Sequence, residues 1–382
     1  MSRSPLDVVR VNALGLPGEA DVFDFNFEHW TSFSLKNSIL APAEASFELG
    51  DETGWERLSR LCQLGAEFVV MVDDRPRMVG RVEAITGPCD AQQSSTQSFV
   101  IRTRLSDALY SSAPQGIQLK RASIKAYVLA CYAGIGLTEK DFDFRGDVSR
   151  DLMTGKDSKG HNSPIALEPL TEDQAKVNPP ETIYAAVDRH LRRHGLLHWD
   201  GADGRIVVGA PDDQQSPIYI LQCLRGPAGQ YNNVRSIQRD QDVSQSATVL
   251  GVFGIGGGKD FSKTKITGLR HNEDLIRRGF RRQVVIIDEA VRTKAIATSR
   301  ANREFATRNR GLDAIEVTVD GLSYSDGSVL LPWSPDTTCD VIADQLGGAL
   351  GIYYVESVEM SRSARESDVT KLVLSKQGVW VL

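Results

Sequence analysis

The stretch from Arg292 to the C-terminus constrains the fold most, because the order of its elements is specific where earlier segments are generic. A basic, Ala-rich run from Arg292 to Arg310 predicts a helix. It leads into Ile315-Glu-Val-Thr-Val-Asp, whose alternation predicts a strand with one buried face. A turn and a Trp333-Ser-Pro step follow. Two long strand patterns close the chain, Gly351-Ile-Tyr-Tyr-Val-Glu-Ser-Val-Glu-Met and Val369-Thr-Lys-Leu-Val-Leu, joined by a charged hairpin.

With 382 residues the chain is too long for one ordinary core, and two to four domains are expected. Hydrophobic content of 41% and charged content of 25% exclude a disordered or membrane-embedded protein. The net charge of -6 argues against a free-standing DNA binder, whose affinity depends on a basic excess. Cys62, Cys89, Cys131, Cys223 and Cys339 are dispersed without a CxxC pair, which predicts reduced thiols and no disulfide framework. The first residues, Met-Ser-Arg-Ser-Pro-Leu-Asp, lack the apolar core of a signal peptide. The longest apolar run, Ala126 to Leu137, falls short of the ~20 residues of a membrane-spanning helix, so a cytoplasmic protein without a membrane anchor is expected.

Residues 1–112 carry strand patterns at Asp7–Asn12, Ala45–Leu49, Phe68–Val72, Met78–Ile85 and Ser98–Thr103, with a short helix at Trp55–Leu61. Such spacing predicts a small barrel or sandwich. Residues 113–178 hold a helix beginning at Ser123 and ending near Gly134, then a long polar connection from Asp147 to Pro180. Residues 179–222 predict a compact αββ unit. Its helix places Ile183, Ala186, Val187 and Leu191 on one face and stops at Gly195; its strands flank the Gly201-Ala-Asp-Gly204 turn. Residues 223–382 return to β character, with the helix at about 292–310. The fold class expected is α+β, mainly β.

Several motifs imitate catalytic sites. Gly254-Ile-Gly-Gly-Gly-Lys259 followed by Val284-Val-Ile-Ile-Asp288-Glu289 resembles a phosphate loop and a metal-binding strand end. A P-loop needs GxxxxGK[ST]; here Phe253 occupies the first glycine position and Asp260 the hydroxyl position. The stretch therefore reads as a loop plus an edge strand. His190, His194 and His198 approach zinc-ligand spacing, but Gly195 breaks the helix and Arg189, Arg192 and Arg193 oppose a cation, so a solvated basic face is expected. The acid pairs Asp73/Asp74, Asp212/Asp213 and Asp288/Glu289 fall in or beside turns and read as solvated carboxylates. Arg277-Arg-Gly-Phe-Arg-Arg282 reads as a surface patch. No GxSxG or other local nucleophile signature occurs. No catalytic, cofactor-binding or metal residue is assigned, and no cofactor or enzymatic activity is expected.

Three stretches carry a resemblance to a known family. They are Thr182-Ile-Tyr-Ala-Ala-Val-Asp-Arg-His-Leu-Arg-Arg-His-Gly-Leu-Leu-His-Trp-Asp through Gly209; Arg282–Ile287 with Arg300-Ala-Asn-Arg-Glu-Phe-Ala; and Leu331-Pro-Trp-Ser-Pro-Asp-Thr with Gly351–Met360. The succession resembles the baseplate hub of Mu-like contractile phages, related to the T-even central hub and the hub half of type VI spike proteins. The match is loose but nearly whole-chain, and firmer from 181 onward. The hairpin Ser361-Arg-Ser-Ala-Arg-Glu-Ser-Asp departs from the Gly- and Thr-rich hairpin usual there.

The resemblance implies two tube-like β-barrel domains per chain, over 1–112 and 223–382. It implies a homotrimer whose barrels form a pseudo-sixfold ring between a hexameric tail tube (or distal tail protein) and a trimeric spike, in contact with other baseplate proteins. DNA would pass through transiently, and the location would be the virion, assembled in the host cytoplasm. A tailocin or type VI-like injection machine is the near alternative. A glycan- or cell-wall-binding (or -degrading) baseplate component is the alternative of another class, although Trp30, Trp55, Trp199, Trp333 and Trp380 are widely dispersed.

Overall fold

The computed structural model describes residues 9–15, 30–49, 63–87, 97–119, 123–149, 153–156, 162–165, 176–225, 232–255, 265–291, 293–325, 327, 330–363 and 366–380. The fold is mainly β. The first six strands are β1 (Val9–Gly15), β2 (Trp30–Ser38), β3 (Ala41–Leu49), β4 (Glu67–Val72), β5 (Arg75–Thr86) and β6 (Gln97–Arg102). Strand β4 alternates half-buried and buried residues, the pattern of a one-sided antiparallel strand. It turns into β5 through Asp73 and Asp74 alone, with φ of 50° and 59°. Two successive positive φ values are what a two-residue type I′ hairpin requires, and Asp tolerates them better than most residues. The helix expected at Trp55–Leu61 and the Gly15–Gly18 turn lie outside the described residues or at their edge.

A middle unit follows. Its elements are α1 (Arg104–Tyr110), α2 (Ile124–Tyr132), β7 (Phe142–Phe144), β8 (Met153–Lys156), β9 (Asn162–Ile165), α3 (Ile183–Arg193), β10 (Leu197–Asp200) and β11 (Ile206–Gly209). Ser123 caps α2 by accepting from Ala126 N, and Thr182 caps α3 by accepting from Ala185 N. Helix α2 stops at Tyr132 and tightens into a 3-10 turn, so the left-handed exit falls at Gly136 and not at Gly134. Gly195 makes the left-handed exit from α3, as expected. The αββ unit gains a strand, because β7 pairs parallel to β11. The polar connection is not wholly irregular: β8 and β9 form a hairpin within it.

The last part holds β12 (Tyr219–Cys223), β13 (Val234–Asp240), β14 (Val249–Ile255), β15 (Lys265–His271), α4 (Glu273–Arg277), β16 (Gln283–Ile287) and α5 (Lys294–Asn309). Then come β17 (Ala314–Asp320), β18 (Ser323–Ser325), β19 (Leu330–Pro332), β20 (Thr337–Ala343), β21 (Gly348–Ser363) and β22 (Glu366–Lys376). The basic helix and the closing strands fall where the sequence pattern puts them.

Strands from both ends of the chain share one twelve-stranded sheet, in the order β1-β4-β5-β6-β3-β2-β21-β22-β17-β13, with β20 bridging β21 and β12. The join is the antiparallel pairing of Ser32–Ser38 with Ser357–Ser363. Phe33, Leu35, Val70, Val317, Tyr353, Met360 and Leu374 belong to one buried cluster spanning the join.

Besides the β8–β9 and β18–β19 pairs, two three-stranded sheets accompany it among the described residues. The middle one, β10-β11-β7, packs under α2 and α3. The other, β15-β14-β16, lies between β13 and β17 in the chain, and α5 covers one of its faces. Gly268 of β15 makes that packing possible: a Cβ there would stand 2.3 Å from Ala297 O and 2.6 Å from Thr298 N, both backbone atoms of α5. Gly268→Ala is expected to destabilise the protein by about 1–3 kcal/mol through overpacking, read as a lowered urea midpoint. An unchanged midpoint would show that α5 does not sit this close.

Candidate assembly site

The join between the sheet halves is fastened by carboxylates buried where elements distant in sequence meet. Glu356 of β21 accepts from Trp380 Nε1 at 3.0 Å and from Arg310 at 3.2 Å, and its carbonyl accepts from Ile39 N at 3.1 Å. Asp213 accepts from Gly378 N at 2.9 Å and Trp380 N at 2.8 Å, pinning the C-terminal turn. Asp200 of β10 accepts from Ala43 N at 2.8 Å and Thr103 Oγ1 at 2.7 Å, tying the middle unit to the main sheet. Burial pushes the Asp200 carboxyl up to about 6, against the pull of those two donors. Asp336, at φ 57°, accepts from Tyr354 OH at 2.7 Å and pairs with Arg145; burial raises its carboxyl as well. Asp213 is thus not the solvated acid its turn position suggests. Unpaired backbone N–H groups of the closing turn need it.

A second polar junction joins α3 to α5. Asp288 is buried and takes Arg193 at 3.0 Å together with Arg300, while Asp188 takes Arg303 at 2.6 Å and Arg192 at 2.7 Å. Arg303 also donates to Leu196 O. Asp288 therefore ends an exposed strand as an internal ion-pair partner, neither a metal ligand nor a solvated acid.

The solvated histidine face is likewise overturned. His190 and His198 are buried, and His194 is half-buried. His190 lies against Tyr127 with ring centroids 4.0 Å apart, and His198 lies 4.4 Å from Tyr184. Only Arg189 and Arg192 keep to the wetter side, since Arg193 is buried as well. Desolvation first, and then Arg189 and Arg193, depress the His190 imidazole to about 2. Desolvation also lowers His194 and His198 to about 4. These rings pack as neutral aromatics.

The other motifs resolve into structural roles. Gly254 is buried, and a Cβ there would stand 2.2 Å from Val291 O, so it permits the turn after β16 to approach. Gly256 to Lys259 lie outside the described residues. Asp74 is exposed and pairs with Arg10 at 2.6 Å, whereas Asp73 accepts from Ser323. Arg277 pairs with Asp274, and Arg281 donates to Ile276 O and Phe280 O at 2.8 Å each. Cys131 and Cys339 are buried and reduced; burial pushes both thiols up, the direction opposite to that of a nucleophile. Among the described residues no group of three or more His, Cys, Asp or Glu is placed to hold a metal. Trp199, Trp333 and Trp380 are all buried, leaving none of them as a sugar platform. The space beside the Trp333–Pro335 step is about 10 Å³, room for one water and far below the size of a small-molecule site.

No protein-family model and no curated protein matches the sequence. Solved structures do match over nearly the whole chain. A tail protein from Neisseria meningitidis MC58 superposes with TM-score 0.72 at 17% identity, covering 98% of each chain. The 43 kDa tail protein of prophage MuSo2 from Shewanella oneidensis gives 0.70 at 14%, covering 97% of this chain and 99% of that one. An E. coli component of the type VI secretion system, described as structurally similar to the T4 tail proteins gp27 and gp5, gives 0.53 at 8%, covering 92% and 75%. The fold is the one these tail and secretion-system proteins share.

Two outcomes follow from the junctions. Asp288→Ala strands Arg193 and Arg300 and is expected to cost about 3–5 kcal/mol of stability, whereas Asp288→Leu combined with Arg193→Met and Arg300→Met costs less, by denaturant titration. The depressed histidines make the folded state refuse protons that the unfolded chain accepts below its ordinary 6.5, so stability is lost as pH falls from there. Asp200, raised to about 6, opposes this by taking a proton in the folded state first. The three histidines against Asp200 leave roughly two protons, or about 2.7 kcal/mol lost per pH unit near pH 5, and the raised Asp336 carboxyl lessens that slope. His190→Phe with His198→Phe flattens that slope; a slope unchanged in the double variant would assign acid sensitivity elsewhere.

Proposed function

We propose that the chain is a structural, non-enzymatic tail protein: the trimeric central hub of a contractile-tail baseplate. The observation that carries this reading is the full-length match of a fold whose two β halves are one sheet through β2 and β21. In the proposed assembly each half curls as a tube-like barrel, over 1–112 and 223–382. Three chains then supply six barrels in a ring, closed by heterologous contacts. The ring meets a hexameric tube or distal tail protein on one face and a trimeric spike on the other, with other baseplate proteins at its periphery. The task is geometric. A rigid, fastened join keeps both barrels of a chain at fixed spacing, so sixfold and threefold partners engage together.

The net charge of -6 suits a lumen through which DNA slides without adhering. The protein would be assembled in the host cytoplasm and reside in the virion. No described helix is long and apolar enough to cross a membrane. A second reading, the hub of a tailocin or type VI-like injection machine, is favoured by the match to the E. coli secretion component. The buried tryptophans weigh against a glycan-binding role.

Light scattering on the chain mixed with its spike is expected to give three copies per complex, and cryo-electron microscopy a ring with six barrel-like lobes. A chain that stays monomeric with spike present, or a ring with a strongly basic lumen, would sink the reading.

A further inference from the structure

The sheet β15-β14-β16 is covered on one face only. Residues Leu250, Val252 and Gly268 point to α5, and the alternate set points away. On the bare face the register aligns Leu269, Gly251 and Val285 in one row, and Thr267, Phe253 and Ile287 in the next. Leu269, Val285 and Ile287 are 51%, 62% and 75% exposed. Among the described residues β16 pairs only with β14 and forms the sheet's edge. Asp288 N bonds to Phe253 O and Thr248 N to Arg282 O, so even-numbered residues face β14. By the alternation of a parallel ladder, the N–H and C=O groups of Gln283, Val285 and Ile287 then point off the edge. An exposed apolar edge of this kind is a template for another strand.

The charges around β16 select the strand. Arg281 and Arg282 precede it, Asp288 and Glu289 follow it, and Arg281 and Glu289 are both exposed. A complementary antiparallel strand must therefore begin basic, run aliphatic and end acidic. The segment Arg281-Arg-Gln-Val-Val-Ile-Ile-Asp-Glu289, β16 with the residues that flank it, itself has that pattern.

We propose that β16 is a self-complementary edge that pairs antiparallel with β16 of a second copy, about a two-fold axis at Val285. In that register Val285 faces its own copy as a hydrogen-bonded pair, Gln283 faces Ile287, and Arg281 lies opposite Glu289 at both ends. Two three-stranded sheets become one of six strands, and their bare apolar faces become continuous. The contact is isologous, unlike the heterologous contacts proposed for the ring. A pairing this short buries less than the ~1,000 Å² of a stable interface, so the dimer depends on concentration.

The test is sedimentation velocity of the full chain over a wide concentration range. The wild type is expected to shift from one copy to an even multiple. Arg281→Glu places like charges at both ends and should weaken the association about tenfold; Glu289→Arg should do the same. An equimolar mixture of the two variants should recover it, because every cross-copy pair in the mixed dimer is again opposite in charge. Val285→Cys should form a covalent dimer on mild oxidation beyond any seen for the wild type. Leu269→Cys should not, since the two copies of that residue lie roughly 24 Å apart across five strand spacings. No even-numbered association, no recovery in the mixture, or no Val285→Cys cross-link overturns the pairing. A threefold mass unaffected by the Arg281 and Glu289 variants would overturn the pairing and leave the hub reading standing. Even-numbered association with no trimer on the spike would do the reverse.

Discussion

The ladder between β2 and β21 is the constraint on which the rest of the structure depends. It joins the start of the chain to its end through main-chain bonds, and an antiparallel ladder tolerates no slip when one face is buried. Phe33 and Leu35 on one side and Val358 and Met360 on the other must reach the same cluster. The polar fasteners around it act on the same join. Glu356 holds Trp380 from within β21, and Asp213 holds the turn beneath it. Each carboxylate sits where a closing segment would otherwise bury main-chain donors without partners. The middle unit enters this system through Asp200, one residue beyond Trp199, so its placement is coupled to the seam itself.

Much of this was legible in residue order. Period-two alternation located β3 and β17, the buried run cut by Asp73-Asp74 located β4 with β5 as its hairpin partner, Ser123 as a cap located α2, and an apolar face with its Gly195 stop located α3. The C-terminal strands fall where their pattern puts them, because long one-sided strands leave a strong period-two signal. The pairing of β2 with β21 was not legible. Period two reports which face is buried but not which distant strand lies alongside. Strands β7, β18 and β19 are three residues each, too short to show a period.

The polar residues that sequence position assigns to solvent are buried for a shared reason. His190, Arg193, Asp213 and Asp288 were read as solvated because polar residues near helix ends and turns generally are. Here two units pack against each other through those ends. The signal that would have helped was the count of opposite charges: α3 carries Asp188, Arg192 and Arg193, and α5 carries Arg300, Arg303 and Glu304. Two helices so marked can satisfy each other's charges away from water, while His190 and His198 lose solvent separately, by packing on Tyr127 and Tyr184. The Gly254 stretch, read as a loop plus an edge strand, supplies a glycine of β14 that permits backbone approach, and the strand Gln283–Ile287 is indeed an edge.

The placement of β13 beside β17 makes the segment between them a self-contained excursion of the chain. Asp240 and Ala314 are register partners, so the segment between them leaves and re-enters the sheet at one point. The third sheet and its helix are thus a cassette spliced into a hairpin, whose removal could be bridged by a short turn without redrawing the main sheet. The cassette is held to its host by the ion pairs of Asp288 and Arg303 with α3 and by Ala306 of α5 packed among Trp199, Tyr354 and Trp380. Removing it would leave Arg193 without Asp288 and Asp188 without Arg303, so both residues of α3 are tied to its presence.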